Sequence, residues 1–122
     1  MNILEVLEAF AQEVPGFLTC SVVSLLDGTN IGSVGVVENF DPAAADAYFS
    51  EVLKKNTAAL DSLGLQADTE DVLLTTRSAF FLARALPETP YFWNVITTRR
   101  GSLGFTRALM RKYEARIVQT LP

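Results

Sequence analysis

The segment from Phe17 to Leu26 constrains the fold more than any other part of the sequence. Strand side chains point alternately to the two faces of a sheet. Both alternating sets contain apolar residues here, with Leu18, Cys20, Val22 and Leu26 in one set and Phe17, Val23 and Leu25 in the other. A strand of this kind must be covered on both faces. The sequence therefore predicts a sheet held between two helical layers, with this strand near its centre.

Two elements flank this strand. Apolar residues recur at helical spacing over residues 2–13, and Pro15-Gly16 ends that pattern. Asp27-Gly28 suits the positive backbone angles of a tight hairpin. It predicts that a second, antiparallel strand follows, with the apolar residues Ile31, Val34, Val36 and Val37.

The rest of the chain continues the alternation. Asp41-Pro42 is a strong helix start, and the pattern that follows runs to Leu63-Gly64, where glycine ends the longest helix. Three strand-like runs come next, and a third helix opens at Gly101-Ser102. The three runs are Val72–Thr76, Ala79–Leu86 and Tyr91–Thr98.

The predicted order is α-β-β-α-β-β-β-α in one domain over residues 1–122, an α/β (α+β) chain folded as a three-layer α/β/α sandwich around a five-stranded antiparallel sheet. This order resembles the profilin-like fold of the roadblock (dynein light-chain) family. The motifs that carry the resemblance are Pro15-Gly16-Phe17, Asp27-Gly28 and Gly101-Ser102-Leu103-Gly104. The resemblance implies a sheet order of 2-1-5-4-3, homodimerisation through the second helix and third strand, and partners that are small Ras-like GTPases or larger scaffolds.

The width of the sheet, together with the helix placement that the resemblance implies, gives a physical reason to expect a dimer. Five strands span roughly 24 Å, whereas a helix with its side chains covers about 10–12 Å. If the terminal helices share one face, the second helix cannot cover the other alone. The candidate interface residues lie on that helix and on the third strand, which has no proline or lysine to protect it. They are Tyr48, Phe49, Val52, Leu53, Asn56, Leu60, Val72, Leu73, Leu74, Thr75 and Thr76.

Two positions on these faces have two interpretations each. Asn56 falls near the middle of the apolar arc of the second helix, where it either fixes the register of two helices or satisfies a local backbone group or a water. Tyr91 and Trp93 share one face of the last strand, and they either fill the core or line an interface.

The residue types argue against an enzyme. The sequence has no histidine, so the commonest general base and metal ligand is missing, and Ser21, Ser24 and Ser33 have no such residue to activate them. The lone Cys20 reads as a small buried apolar residue. Three glycines between positions 28 and 35 lack the Gly-Lys-Ser or Gly-Lys-Thr of a phosphate loop. We therefore expect no catalytic residues, no cofactor and no metal.

Charge is distributed unevenly along the chain. Ten basic and fourteen acidic residues give a net charge of −4, which does not favour nucleic acid. All eight ionised residues before Lys54 are acidic, whereas eight basic residues follow from Arg77 onward. Either acidic and basic elements pack together, or Arg77, Arg99 and Arg100 form a partner contact.

Two short charged segments also have alternatives. Arg99 to Gly104 forms either an anion site at a helix start or a capped turn. Asp68, Glu70 and Asp71 form either a cation site or a solvated turn.

Three functions fit these features. The first is a cytoplasmic, homodimeric adaptor that regulates a small Ras-like GTPase; the alternatives are a structural light chain for a motor or scaffold peptide, and a small-ligand sensor. No apolar stretch exceeds five residues, which predicts no membrane insertion, and the acidic N-terminus is unlike a secretory signal.

Overall fold

The structure is a computed structural model that describes residues 1–35, 37–66 and 68–122. Its eight elements follow the predicted order. They are α1 (Ile3–Glu13), β1 (Phe17–Ser24), β2 (Asn30–Val34), α2 (Pro42–Ser62), β3 (Val72–Thr75), β4 (Ala79–Ala85), β5 (Tyr91–Thr98) and α3 (Leu103–Thr120). The sheet is antiparallel throughout, in the order β2-β1-β5-β4-β3, so the order that the resemblance implied is confirmed.

Local chemistry places the helix ends. The Asp41 carboxylate accepts hydrogen bonds from two amides of the first turn of α2, and Pro42 follows it. Gly64, with a φ of 71°, ends that helix, because a residue with a side chain rarely adopts this conformation. The Ser102 hydroxyl accepts from the Phe105 amide at the start of α3. The predicted caps are therefore confirmed.

The first hairpin differs from the prediction. The predicted tight two-residue turn at Asp27-Gly28 is wrong, because the loop is longer: the Gly28 amide donates to the Ser24 carbonyl, and the Ser24 amide donates to Thr29. β1 therefore ends at Ser24 instead of Leu26.

β2 is also shorter than predicted. It ends at Val34 because Gly35 turns away with a φ of 97° and packs its backbone against the Leu18 carbonyl. Val37 is outside the strand, and Val36 lies outside the described residues.

Two apolar clusters fill the spaces between the layers. The larger lies between the sheet and the pair α1 and α3, and it includes Phe10, Trp93 and Tyr113. The smaller lies under α2 and includes Phe49, Leu53 and Phe92. β1 contributes Cys20 and Val22 to the first cluster and Val23 to the second, so the predicted covering of this strand on both faces is confirmed.

Candidate dimer and partner surface

The buried face of α2 is rotated away from its apolar arc. Four residues at i, i+3, i+4 and i+7 spacing are buried against the sheet. They are Asp46, Phe49, Ser50 and Leu53. At about 100° per residue, the apolar positions Tyr48, Val52 and Leu63 lie on one flank of that face. Tyr48 is 54% exposed and Leu63 is 71% exposed. One apolar flank of α2 is therefore uncovered in a single chain.

The structure divides the candidate interface residues into two groups. Phe49 and Leu53 are used inside the chain, under α2, and Leu73 packs towards the α1 and α3 cluster. The others remain exposed or partly exposed on the α2 flank and on β3. They are Tyr48, Val52, Asn56, Leu60, Val72, Leu74, Thr75 and Thr76. Leu63, which was not among the candidate interface residues, extends this surface.

A buried polar network anchors α2 to the sheet. Asp46 is 1% exposed, and its two carboxylate oxygens accept from the Asn94 amide at 2.9 Å and from the Asn30 amide at 3.0 Å. Asn94 is buried on β5, whereas Asn30 is exposed on β2. Among the described residues, no cation forms an ion pair with Asp46. The sequence analysis missed this network, although the helical spacing of Asp46 with Phe49 and Leu53 was a usable signal.

Asn56 is satisfied within its own chain. Its amide donates to the Thr69 hydroxyl, in the segment between α2 and β3. Of the two interpretations of Asn56, a contact within its own chain is therefore nearer to the structure than a role in helix register. The acceptor is a side chain, however, and not the predicted backbone group or water. The bond ties the C-terminal half of α2 to the approach of β3.

β3 is an edge strand with free backbone groups. The Thr76 amide donates to the Ala79 carbonyl at 2.9 Å, so the backbone groups of Thr76 are directed at β4. Antiparallel pairing alternates, so those of Leu73 and Thr75 point outward from the edge. Leu74 leaves 39% of its surface exposed beside them. This edge combines apolar side chains with unused donors and acceptors.

The candidate partner arginines lie at one end of the sheet. Arg99 donates to the Thr76 carbonyl at 3.3 Å, and its guanidinium lies 5.1 Å from the centre of the Phe80 ring. Arg77 and Arg100 are exposed. In the described parts of the chain, none of the three forms an ion pair with a carboxylate. The segment from Arg99 to Gly104 is a capped turn in which Arg99 is already engaged.

Acidic and basic elements pack together elsewhere. Arg107 on α3 holds Asp71 with two bonds of 3.0 and 3.1 Å, and Lys112 contacts Glu13 at 3.3 Å. Glu13 also accepts a hydrogen bond from Tyr113, which together with the charge of Lys112 lowers the pKa of Glu13. The packing interpretation of the charge asymmetry is therefore confirmed for these pairs. No cluster of candidate metal ligands occurs within residues 1–35, 37–66 and 68–122.

Trp93 belongs to the core. It is fully buried on β5, and its ring centre lies 4.8 Å from that of Phe10. Tyr91 packs partly buried against the same cluster. The core interpretation is therefore confirmed for both aromatic residues.

A groove lies on the other flank of α2. It encloses about 340 Å³ between the C-terminal half of the helix and the ends of β1 and β4. Its apolar floor includes Leu25, Leu53 and Ala85, and Lys54 and Thr57 stand at its side.

The layer order, the antiparallel sheet and the uncovered α2 flank define an α/β/α sandwich with the fold of the roadblock/LC7 domain. MglB of Myxococcus xanthus has a TM-score of 0.83 and 16% identity, with 98% of this chain and 96% of that chain covered. A roadblock/LC7 domain from Streptomyces avermitilis also has a TM-score of 0.83, with 17% identity over 98% of this chain and 97% of that chain.

A further MglB structure, described as having a tetrameric arrangement, has a TM-score of 0.80 and 13% identity, with 95% of this chain and 85% of that chain covered. No protein-family model and no curated protein matches the sequence. Among the helices described, none combines the length and the apolar character needed to cross a membrane.

Proposed function

We propose that the protein is a non-catalytic, homodimeric adaptor that acts in the cytoplasm and regulates a small Ras-like GTPase or machinery linked to one. The observation that supports this most is the apolar flank of α2, on which Tyr48 and Leu63 are exposed, together with the edge position of β3. A second copy would cover both features at once. Such a contact is isologous, since each copy contributes the same surface.

The dimer would complete the sheet and its helical cover. Pairing of β3 with its symmetry mate would give ten continuous strands, with the two α2 helices side by side across them. The exposed residues Tyr48 and Leu74 and the partly buried Val52 lie where those helices and strands would meet. Burial of an apolar side chain contributes on the order of 1.5–3 kcal/mol. Several such residues per copy give a stable contact.

The partner proposal is supported by the resemblance in sequence motifs and by the structural likeness to MglB. A regulator without its own reactive groups acts by binding one conformation of its partner more tightly than another. The dimer presents two copies of Arg100, exposed and without a carboxylate partner in the described chain, to an acidic surface of that partner.

The dimer is tested by placing a charge on the α2 flank. Tyr48→Asp should convert the protein to single chains at micromolar concentration in sedimentation equilibrium, because the carboxylate would be buried without a partner. Leu4→Asp is the matched control, since Leu4 is 46% exposed on α1, away from this surface. A Tyr48→Asp protein that sediments like the wild type would contradict the proposed interface.

The partner is tested in two stages. The wild type and Tyr48→Asp are used as baits in the source cell, and any recovered nucleotide-binding protein is purified for turnover measurements. We expect the wild type to retain a small GTPase in one nucleotide state and to change its turnover, and the monomeric variant to do neither. Binding that is independent of nucleotide, with turnover unchanged, would favour a structural light chain instead.

The groove supports a second candidate, a small-ligand sensor. Its volume of about 340 Å³ is at the lower end of ligand sites, and its apolar floor is typical of them. A metabolite panel in a thermal-shift assay tests it. A ligand that raises the melting temperature of the wild type but not of Leu53→Trp, which would fill the groove, would support this function.

A further inference from the structure

β3 carries opposite charges at its two ends. Glu70 lies in the segment that enters the strand, and Arg77 follows the strand in the turn to β4. Both residues are exposed, and neither side chain takes part in an ion pair among the described residues. If β3 pairs antiparallel with β3 of a second copy, Arg77 of each copy lies near Glu70 of the other. Parallel pairing would instead place like charges side by side.

The symmetry of a continuous sheet restricts the register. A two-fold axis perpendicular to the sheet keeps each side chain on its own face, so a residue that faces α2 must lie opposite another that faces α2. Val72 packs with the cluster under α2, whereas Leu73 packs with the cluster on the other face. Opposed residues must therefore both be even-numbered or both odd-numbered, which excludes an axis between Leu73 and Leu74.

Leu74 is the residue on which the axis fits best. It is the midpoint of the segment from Val72 to Thr76, whose last residue still bonds to β4 through its amide. With the axis there, the outward groups of Leu73 bond to those of Thr75 in the second copy. Each of the five residues of the segment then lies opposite a residue of the second copy, and the exposed Leu74 side chain contacts Leu74 of that copy.

We propose that two copies pair β3 antiparallel with Leu74 on the two-fold axis, and that Arg77 of each copy forms an ion pair with the acidic entrance of β3 in the other. In this register Arg77 lies opposite Asp71 of the second copy, next to Glu70. Asp71 is already held by Arg107 of its own chain, so Glu70 supplies the free carboxylate. Glu70 and Arg77 both lie outside the strand, where the alternation of faces does not separate them. This inference rests on the homodimer proposed above, and it adds the register and the charge pairs that select it.

Charge reversal tests the ion pairs. Arg77→Glu and Glu70→Arg should each weaken the dimer roughly 3- to 30-fold in sedimentation equilibrium at low salt, because two exposed pairs per dimer become like-charged. The double variant should return the dissociation constant to within about threefold of wild type, and about 1 M salt should remove most of the differences.

Arg100→Glu is the control for this experiment, since Arg100 is exposed at the same end of the sheet but lies outside the paired segment. If both single variants dimerise like Arg100→Glu, or if the double variant is weaker than either single one, the ion pairs are refuted while the homodimer stands. If the wild type is monomeric, the proposed homodimer fails and this inference with it.

Cross-linking tests the register. Leu74→Cys should give a covalent dimer under mild oxidation, because directly opposed side chains bring their Cβ atoms within about 4.5–5.5 Å, near disulfide range. Thr75→Cys, one residue along, should not, since its own copy lies about 7–8 Å away diagonally. The native Cys20 does not interfere, because it is fully buried and burial raises its pKa to about 12. Faster cross-linking of Thr75→Cys would overturn the register.

Discussion

The network around Asp46 allows one prediction to be worked out in detail. Asp46→Ala removes both acceptors at once and leaves the Asn94 amide buried without a partner. A buried donor without an acceptor lowers the free energy of unfolding by about 1–3 kcal/mol. The Asn30 amide is exposed, so water replaces its lost bond at little cost. We therefore expect Asp46→Ala to lower the free energy of unfolding by about 1–3 kcal/mol, almost all of it through Asn94.

The assay is a pair of double-mutant cycles by urea denaturation at one fixed protein concentration, because dimerisation makes stability depend on concentration. One cycle joins Asp46→Ala with Asn94→Ala, and the other joins it with Asn30→Ala. We expect a coupling energy of about 1–2 kcal/mol in the first cycle and below about 0.5 kcal/mol in the second.

The unequal exposure of the two asparagines is the basis of this prediction. Equal coupling energies, or a larger value for Asn30, would show that solvent access does not decide the strength of the network. Asp46→Asn provides a further comparison, since it keeps the shape but removes the charge and replaces one of the two acceptors with an amide donor. If charge-assisted bonding matters, Asp46→Asn should be less stable than the wild type and more stable than Asp46→Ala.

Three further predictions concern the opposite side of the sheet. Gly101→Ala should destabilise the protein by about 1–3 kcal/mol in urea denaturation, because the new Cβ would lie 2.6 Å from the Pro15 carbonyl oxygen; no change would show that this corner can relax. The Tyr113 hydrogen bond lowers the pKa of Glu13 below 4.5, so its stabilisation is present above pH 4.5 and is lost as pH falls through the lower pKa. Unfolding midpoints of wild type and Glu13→Gln should therefore differ at pH 7 and converge in acid, and a constant gap would contradict this account. The Cys20 thiol, with its pKa raised to about 12 by burial, should react with a thiol reagent only after denaturation, and rapid labelling of the folded protein would show that β1 opens.

The sequence was sufficient to predict the elements and their layers. The apolar residues on both faces of β1 and the capping residues Asp41 and Ser102 act locally, so their consequences could be derived without a structure. The sheet order came from the resemblance, because spacing along the chain does not distinguish an order of 2-1-5-4-3 from others. The sequence did not predict where β2 ends, because that end depends on the close approach of Gly35 to the Leu18 carbonyl. These two residues are distant in sequence.

The candidate surface was only partly predictable. Helical periodicity identified the apolar arc of α2 but not its rotation, and that rotation decides that Phe49 is buried while Tyr48 is exposed. Asp46 lies on the buried face, and its partners on β2 and β5 are far away in sequence. The helical spacing of Asp46 with Phe49 and Leu53 indicated that it lies on the buried face, but only the tertiary contacts identify its partners.

The inequality of the two apolar clusters has a consequence for how a single copy behaves. α1, the sheet and α3 share the larger cluster, whereas α2 is held by a small one together with the Asp46 network. Parts of a protein with few buried contacts open first, so amide hydrogens of α2 should exchange with solvent sooner than those of α3. A second copy that packs against α2 would slow that exchange. Self-association and the stability of α2 are then coupled. Dilution separates the two copies and also makes α2 in each copy open more often.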